Sequence, residues 1–451
     1  MFSLKFQTLK MFYENELKKN LISSIESLTI HGVPNIIKKE NKLIKVWWLI
    51  ITITSALVAV LFLRQTLLEY FRYNVITEVR LLESDKIEFP VITLCNLNKL
   101  STVESIGFLK NQSKILKLSM KNIQSKIAFQ LFQDINLEKR KNLTQSMKNM
   151  FQNGYFGEFQ NNLINHSDFE WIFNKNYGNC YHFDSEKWLK EQKLDITEYG
   201  IENGLKIELN LSLPNEFNQH EKLFKAVFLS IDEKHVNLYD NFEDVIMLTA
   251  GYQTNIQIEK TLFKKYPFPY SNCNLDMADE NMFEYYKTNS KYFKQIFDNN
   301  YTYYSESLCL EYCKIDHMFK KCHCILQESS IRFEDKIKIC TGDKGKDCIK
   351  YFNSQQNYSL ILKDVCHKKC PLECNKSRYT YTQTPLKIAD VYGQDSNDTT
   401  ILVIYFGSMN YLQYKETPSI SFYSLMSNLG GTLGLFLGNY SLKISILKII
   451  F

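Results

Sequence analysis

The sequence has no long run of basic residues. Its 54 Lys and Arg against 49 Asp and Glu leave a net charge of +5 over 451 residues, too dispersed to point to nucleic acid. Histidine is scarce at eight residues, and these form no metal-ligand spacing. There is no nucleophile elbow and no phosphate-binding loop, so nothing in the chain signals an enzyme or a cofactor. No internal repeat or low-complexity linker divides it. Residues 1–45 contain neither cysteine nor an Asn-x-Ser/Thr triplet, and Val46–Leu63 contains no charge at all.

That charge-free stretch, VWWLIITITSALVAVLFL, is 18 residues long and bounded by Lys45 and Arg64. It meets the length a helix needs to cross a bilayer core. No polar face appears at any helical period, which argues against a buried soluble helix. It starts too far in, is too long and lacks a small-residue cleavage site, which argues against a signal peptide. Eight lysines against four glutamates in residues 1–45 mark that side as cytoplasmic. A second uncharged stretch, Phe422–Leu442, has 21 residues, about 31 Å as a helix. Lys443 and Lys448 follow where the cytoplasm would be reached again. The expected order is a cytoplasmic segment 1–45, a span 46–63, an extracellular region 64–421, a span 422–442 and a short cytoplasmic end 443–451.

All 12 cysteines lie between Cys95 and Cys374. An even number in an extracellular segment reads as disulfides. Within residues 64–421, eight glycosylation triplets begin at Asn111, Asn142, Asn165, Asn210, Asn300, Asn357, Asn375 and Asn397. Apolar residues at 45% and aromatics at 14% supply a large core. Residues 101–150 have helical spacing. Residues 204–213, 225–231 and 254–263 alternate with period two and read as strands. Residues 401–416 read as one more strand. Together these predict an α+β extracellular region.

Cys309 and Cys313 share one helix face, and Cys366 and Cys370 repeat the spacing. Two antiparallel helices bridged as Cys309–Cys370 and Cys313–Cys366 would satisfy it. The same nesting gives Cys322–Cys348, Cys324–Cys340 and Cys273–Cys374, leaving Cys95 for Cys180. Sequence alone does not fix connectivity, and a zinc site at Cys322-His323-Cys324 is the competing reading.

Several stretches, in order, resemble the degenerin/epithelial sodium channel superfamily, which includes acid-sensing channels. They are IHGVPNI (30–36), FPVITLCNLN (89–98), GNCYHFD (178–184), YGIENGLKIELNL (199–211), AGYQTNIQIEKT (250–261), YSESLCLEYCKIDHMFKKCHC (304–324) and LMSNLGGTLGLFLG (425–438). The resemblance implies two transmembrane helices flanking a disulfide-rich ectodomain with a strand palm and helical thumb and finger. It implies a homo- or heterotrimer with related subunits at the plasma membrane, conducting sodium ions and blocked by amiloride. By the same resemblance His31, Gly32 and Ser427 take part in gating, and Tyr70 and Tyr270 couple thumb to membrane. Gly430, Gly431, Gly434 and Gly438 lie on the pore helix, and Asn439, Tyr440 and Ser441 at the selectivity filter. Small residues let helices pack closely or break so that carbonyls face an ion; plain packing is the alternative.

The pattern departs from the family after Gly438. Asn439 and Tyr440 stand where two small residues are expected, and Lys448 is nearest to an expected inner acidic residue. The chain stops at Phe451, as a truncated or spliced product would. These departures keep a second function open, a non-conducting accessory or receptor glycoprotein. The His-Gly pair generates one test. Gly32 can adopt backbone angles denied to other residues, so Gly32→Ala should lower current while surface labelling stays normal. Equal loss of both would make the site structural.

Overall fold

A computed structural model describes residues 36, 41–98, 100–116, 137–157, 162–174, 177–214, 224–232, 245–274, 306–324, 347–348, 365–393 and 396–437. They fall into two units, residues 1–76 with 416–451, and residues 77–415.

In the first unit the charge-free stretch lies inside one 29-residue helix, α1 (Lys42–Tyr70). It runs past the expected 46–63 at both ends. The Asn41 side chain accepts the Leu43 N–H at 3.0 Å, an N-cap that satisfies an otherwise unpaired donor. Thr52, Thr54 and Thr66 donate to the carbonyls of Trp48, Ile50 and Phe62 at 2.8, 2.9 and 2.9 Å. Their hydroxyls therefore ask nothing of an apolar solvent.

Two sheets carry the second unit. The first has the order β1-β14-β9-β13-β6-β3, with β12 on the other edge of β9. Its strands are β1 (Val75–Glu83), β3 (Phe151–Phe156), β6 (Leu205–Asn210), β9 (Tyr252–Lys264), β12 (Asn375–Lys387), β13 (Thr399–Phe406) and β14 (Asn410–Pro418). Antiparallel pairing builds the second, in the order β4-β5-β2-β7-β8. It contains β2 (Val91–Asn96), β4 (Glu170–Asn174), β5 (Gly178–Phe183), β7 (Ala226–Asp232) and β8 (Ile246–Thr249). A short parallel pair, β10 (Cys273–Asn274) with β11 (Leu372–Glu373), stands apart.

Period-two burial shows why these segments are strands. In β6, Leu205, Ile207 and Leu209 are fully buried while Lys206, Glu208 and Asn210 are partly exposed, as one-sided strands require. β2 is buried at every position. Its Ile92 and Leu94 join the main core with Phe183, Leu229, Ile207 and Ile404, whereas Cys95 packs with Ile172 and Cys180. The helices are mostly short: α2 (Val103–Leu116), α3 (Leu137–Leu143), α4 (Met147–Met150), α5 (Ser185–Gln192), α6 (Glu306–Cys322), α7 (His367–Lys369) and α8 (Ile388–Tyr392).

The single strand expected over 401–416 is two. β13 runs parallel to β9 with Ile401–Phe406 against Gln253–Ile258, and β14 resumes with Leu412–Lys415 against Thr261–Lys264. Gly407 lies between them. A Cβ there would meet the end of the Gln257 side chain at 2.2 Å, so a larger residue would have to displace that side chain. The break lets β13 pair with β6 and β14 with β1.

Disulfides join Cys95–Cys180, Cys273–Cys374, Cys309–Cys370, Cys313–Cys366 and Cys322–Cys348. Cys324 is also disulfide-bonded, and its expected partner Cys340 lies outside the described residues. Neither Cys322 nor Cys324 is thus a thiolate for zinc, and no metal-binding group occurs among the described residues. α6 is a long helix, and of its expected partner helix the described residues show α7 with 365–366 also helical, while 349–364 lie outside the described residues. Cys309, Cys313, Cys366 and Cys370 are buried together where the two segments meet. Closing a loop of 61 residues, as Cys309–Cys370 does, stabilises by about 4 kcal/mol in the chain-entropy picture.

His182 on β5 yields a pH prediction. Burial, opposed by the Asp184 carboxylate, lowers its pKa to about 4, and Thr93 Oγ1 lies 3.3 Å from Nδ1. The unfolded chain binds this proton near the ordinary value of about 6.5. Stability is therefore full above about 6.5 and is lost as pH falls towards 4, by at most about 3 kcal/mol. Thermal unfolding across that window should show a smaller acid loss for His182→Gln than for the native chain.

Candidate functional site: the pair of apolar helices

The helix α9 (Phe422–Leu437) has 16 residues, about 24 Å of rise. The Ser421 hydroxyl accepts the Ser424 N–H at 3.1 Å and starts it. Leu425, Leu429 and Leu433 are 1%, 4% and 4% exposed, a one-turn repeat that packs against α1. Opposite them α1 offers small residues. Ala59 is 1% exposed, and Ser55, one turn earlier, donates its hydroxyl to the Phe436 carbonyl at 3.2 Å. Phe62 stacks on Phe436 with centroids 5.9 Å apart. Elsewhere α1 leaves Trp47, Ile50, Leu57 and Leu61 between 51% and 64% exposed. It is one helix long and apolar enough to cross a membrane.

The other face of α9 is different in kind. Ser427, Asn428, Gly431 and Leu435 are exposed, and Gly430 and Gly434 half-buried. A Cβ added at Gly430 or Gly431 would meet nothing within 4 Å. Contacts among the described residues do not require those glycines. The structure thus brings Ser427, Gly430, Gly431 and Gly434 onto one short helix. Gly438, Asn439, Tyr440 and Ser441 lie outside the described residues, as do His31 and Gly32.

Tyr70 ends α1 with its ring edge-on to Phe71 at 5.3 Å and 6.4 Å from Tyr73. In the second unit Tyr270 meets Tyr266 edge-on at 4.9 Å, and its N–H donates to the Pro267 carbonyl at 3.1 Å. Of the glycosylation acceptors, Asn111, Asn142, Asn165, Asn375 and Asn397 are exposed. Asn210 is half-buried and accepts the Ser212 N–H at 2.8 Å. Asn300 and Asn357 lie outside the described residues.

Sequence reasoning did not identify Ser55, Ala59 or the leucine repeat of α9. The repeat was legible as spacing, but its partner was not. It also missed a polar network on the first sheet. Lys206 Nζ donates to the Tyr392 hydroxyl at 3.3 Å, which in turn donates to Gln253 Oε1 at 2.8 Å. Burial alone would lower the Lys206 ammonium. The Tyr392 hydrogen bond and the rings of Tyr155 and Tyr392, each 5.7 Å away, outweigh it and hold the pKa above the ordinary value.

A membrane-length helix paired with a second apolar helix, in one chain with a disulfide-stapled α+β region, defines an ion-channel class of subunit when joined to the sequence comparison. The amiloride-sensitive sodium channel family matches residues 24–443, and the chain belongs to that family. It is 24% identical to the human (Homo sapiens) bile acid-sensitive ion channel, over 91% of this chain and 81% of the relative. It is 23% identical to acid-sensing ion channel 1 of Gallus gallus, over 91% and 80%. Against the beta subunit of the Mus musculus epithelial sodium channel it is 26% identical, over 60% and 43%. These relatives are channels, not enzymes.

The helix contact is testable. Ala59→Phe would overpack it, costing about 1–3 kcal/mol. Oxidative crosslinking of Ser55→Cys with Phe436→Cys should then fall several-fold. Leu49→Phe, at a position 46% exposed, should leave crosslinking unchanged.

Proposed function

We propose that the chain is a subunit of a sodium-preferring cation channel at the plasma membrane, gated through its ectodomain. In this reading α1 is the first crossing and α9 begins the second, lining a pore built by three subunits, either copies of this chain or related ones. Both termini are cytoplasmic, the ectodomain is outside and glycosylated, and amiloride blocks the pore. One observation carries the proposal. The face of α9 that bears Ser427, Asn428 and Gly431 is exposed, with no partner among the described residues, while the opposite face is committed to α1. Three such faces meeting on an axis would give a pore wall of small and polar groups, narrow enough for backbone and hydroxyl oxygens to reach an ion. Relatives named for bile acids and for acid share the family scaffold, which supports a common pore behind a variable ectodomain. No described residue favours the accessory-glycoprotein reading over this one.

Near a three-fold axis a bulky residue at 427 cannot pack between copies without strain of about 1–3 kcal/mol. If the closed state takes that strain, the equilibrium shifts towards open. Two-electrode recording in sodium, with and without amiloride, should show constitutive current for Ser427→Phe, alone or with a full-length relative. Normal surface delivery with unchanged gating would remove Ser427 from the gate. Absence of amiloride-sensitive sodium current for the native chain in both settings would overturn the channel reading.

A further inference from the structure

A cavity of about 280 Å³ opens on the second unit. Its floor is apolar: Phe156, Leu189 and Ile196 are 3%, 8% and 9% exposed. Its rim carries Asp195, Glu198 and Asn203.

Backbone bonds hold the walls in place. α5 closes at Lys193, whose φ of 58° lies in the left-handed region, and the Leu194 N–H turns back to the Leu189 carbonyl at 2.9 Å. The chain then runs along the rim. It is pinned where the Ile87 N–H donates to the Ile196 carbonyl at 3.2 Å, and again where the Gly200 N–H donates to the Phe406 carbonyl at 3.0 Å. On the far side the Gly157 N–H donates to the Gly204 carbonyl at 2.9 Å. A Cβ on Gly204 would strike the Ile404 carbonyl oxygen at 2.3 Å, so this corner tolerates no side chain. The cavity is therefore preformed, as ligand pockets usually are.

Its charge is asymmetric. Asp195 is neutralised by an ion pair with Lys86. Glu198 accepts only the Asn203 amide, at 3.2 Å, and among the described residues no cation pairs with it. One uncompensated carboxylate thus stands above an apolar floor. An anionic ligand would meet like charge there. A neutral apolar one would desolvate the carboxylate without giving it a partner. A lone carboxylate also offers too few oxygens for a divalent ion.

We infer that this cavity binds a small monovalent organic cation, a primary ammonium or guanidinium group carried on a compact apolar body. The cation donates to Glu198 and the body fills the floor between Phe156 of β3 and Leu189 of α5. The site goes beyond the pore reading and requires no conduction. Bound ligand ties an edge strand of the first sheet to the helix that follows β5 of the second.

The test is thermal unfolding of the purified full chain in detergent, with phenethylammonium as the probe and phenylacetate as its anionic counterpart. The native chain should show a saturable rise in Tm with phenethylammonium and none with phenylacetate. Glu198→Gln should weaken the response about tenfold or more, and Thr197→Trp, at an exposed lining position, should abolish it by filling the mouth. Equal responses to the two probes, or no saturation up to about 10 mM, would overturn the site. So would full retention of the response in both variants. The comparison of probes on the native chain needs no variant, so a substitution that disturbs folding does not blunt the test.

Discussion

Every backbone polar group that faces hydrocarbon must find its partner within the protein, because lipid offers none, and a lone helix finds it within its own segment. α1 meets that demand with an unbroken helix of 29 residues, and its threonine hydroxyls bond back to their own helix. In return its outward apolar side chains need nothing from the rest of the protein. The helix can then commit its small residues, Ser55 and Ala59, to α9. Bulkier residues at those positions would hold the two helices apart and remove the Ser55–Phe436 hydrogen bond. The exposed face of α9 owes its position to this contact, since packing one face of a helix fixes what the other presents.

The second unit solves a different problem. It has no lipid, so burial must come from protein, and two sheets supply it through a shared core of Ile92, Leu94, Phe183, Ile207, Leu229 and Ile404. The described part of the α6–α7 region has little apolar core of its own. There Cys309, Cys313, Cys366 and Cys370 are themselves the buried cluster, with Leu310 against them. The two bridges are one helical turn apart on α6, so they fix both the position and the rotation of that helix against the turn that faces it.

These two solutions allow different sequence freedom. The core strands tolerate apolar exchange of similar volume, and the relatives, at 23 to 26% identity, keep the family with most positions changed. The cavity at Glu198 and the Lys206–Tyr392–Gln253 network lie on the outer parts of this scaffold, where substitution alters chemistry without removing core contacts.

By itself the sequence determined what is local or one-sided. A charge-free run long enough for a bilayer, cysteines and glycosylation triplets all beyond it, and period-two strands over 204–213, 225–231 and 254–263 were all legible, because each is set by neighbours along the chain. The cysteine spacing was legible for the same reason, and the Cys309–Cys370 and Cys313–Cys366 bridges follow it. Tertiary structure alone decided the rest. Residues 401–416 are continuous in pattern, yet they split around Gly407, pairing with Gln253–Ile258 of β9 before it and with Thr261–Lys264 after it. The glycines of α9 were visible as a motif, but which face meets α1 depends on Ser55 and Phe436, 381 residues apart. The cavity rim depends on Lys86 reaching Asp195 and on the Phe406 carbonyl anchoring Gly200. Contacts at such separations leave no period in the sequence, since only the folded chain brings their partners within reach.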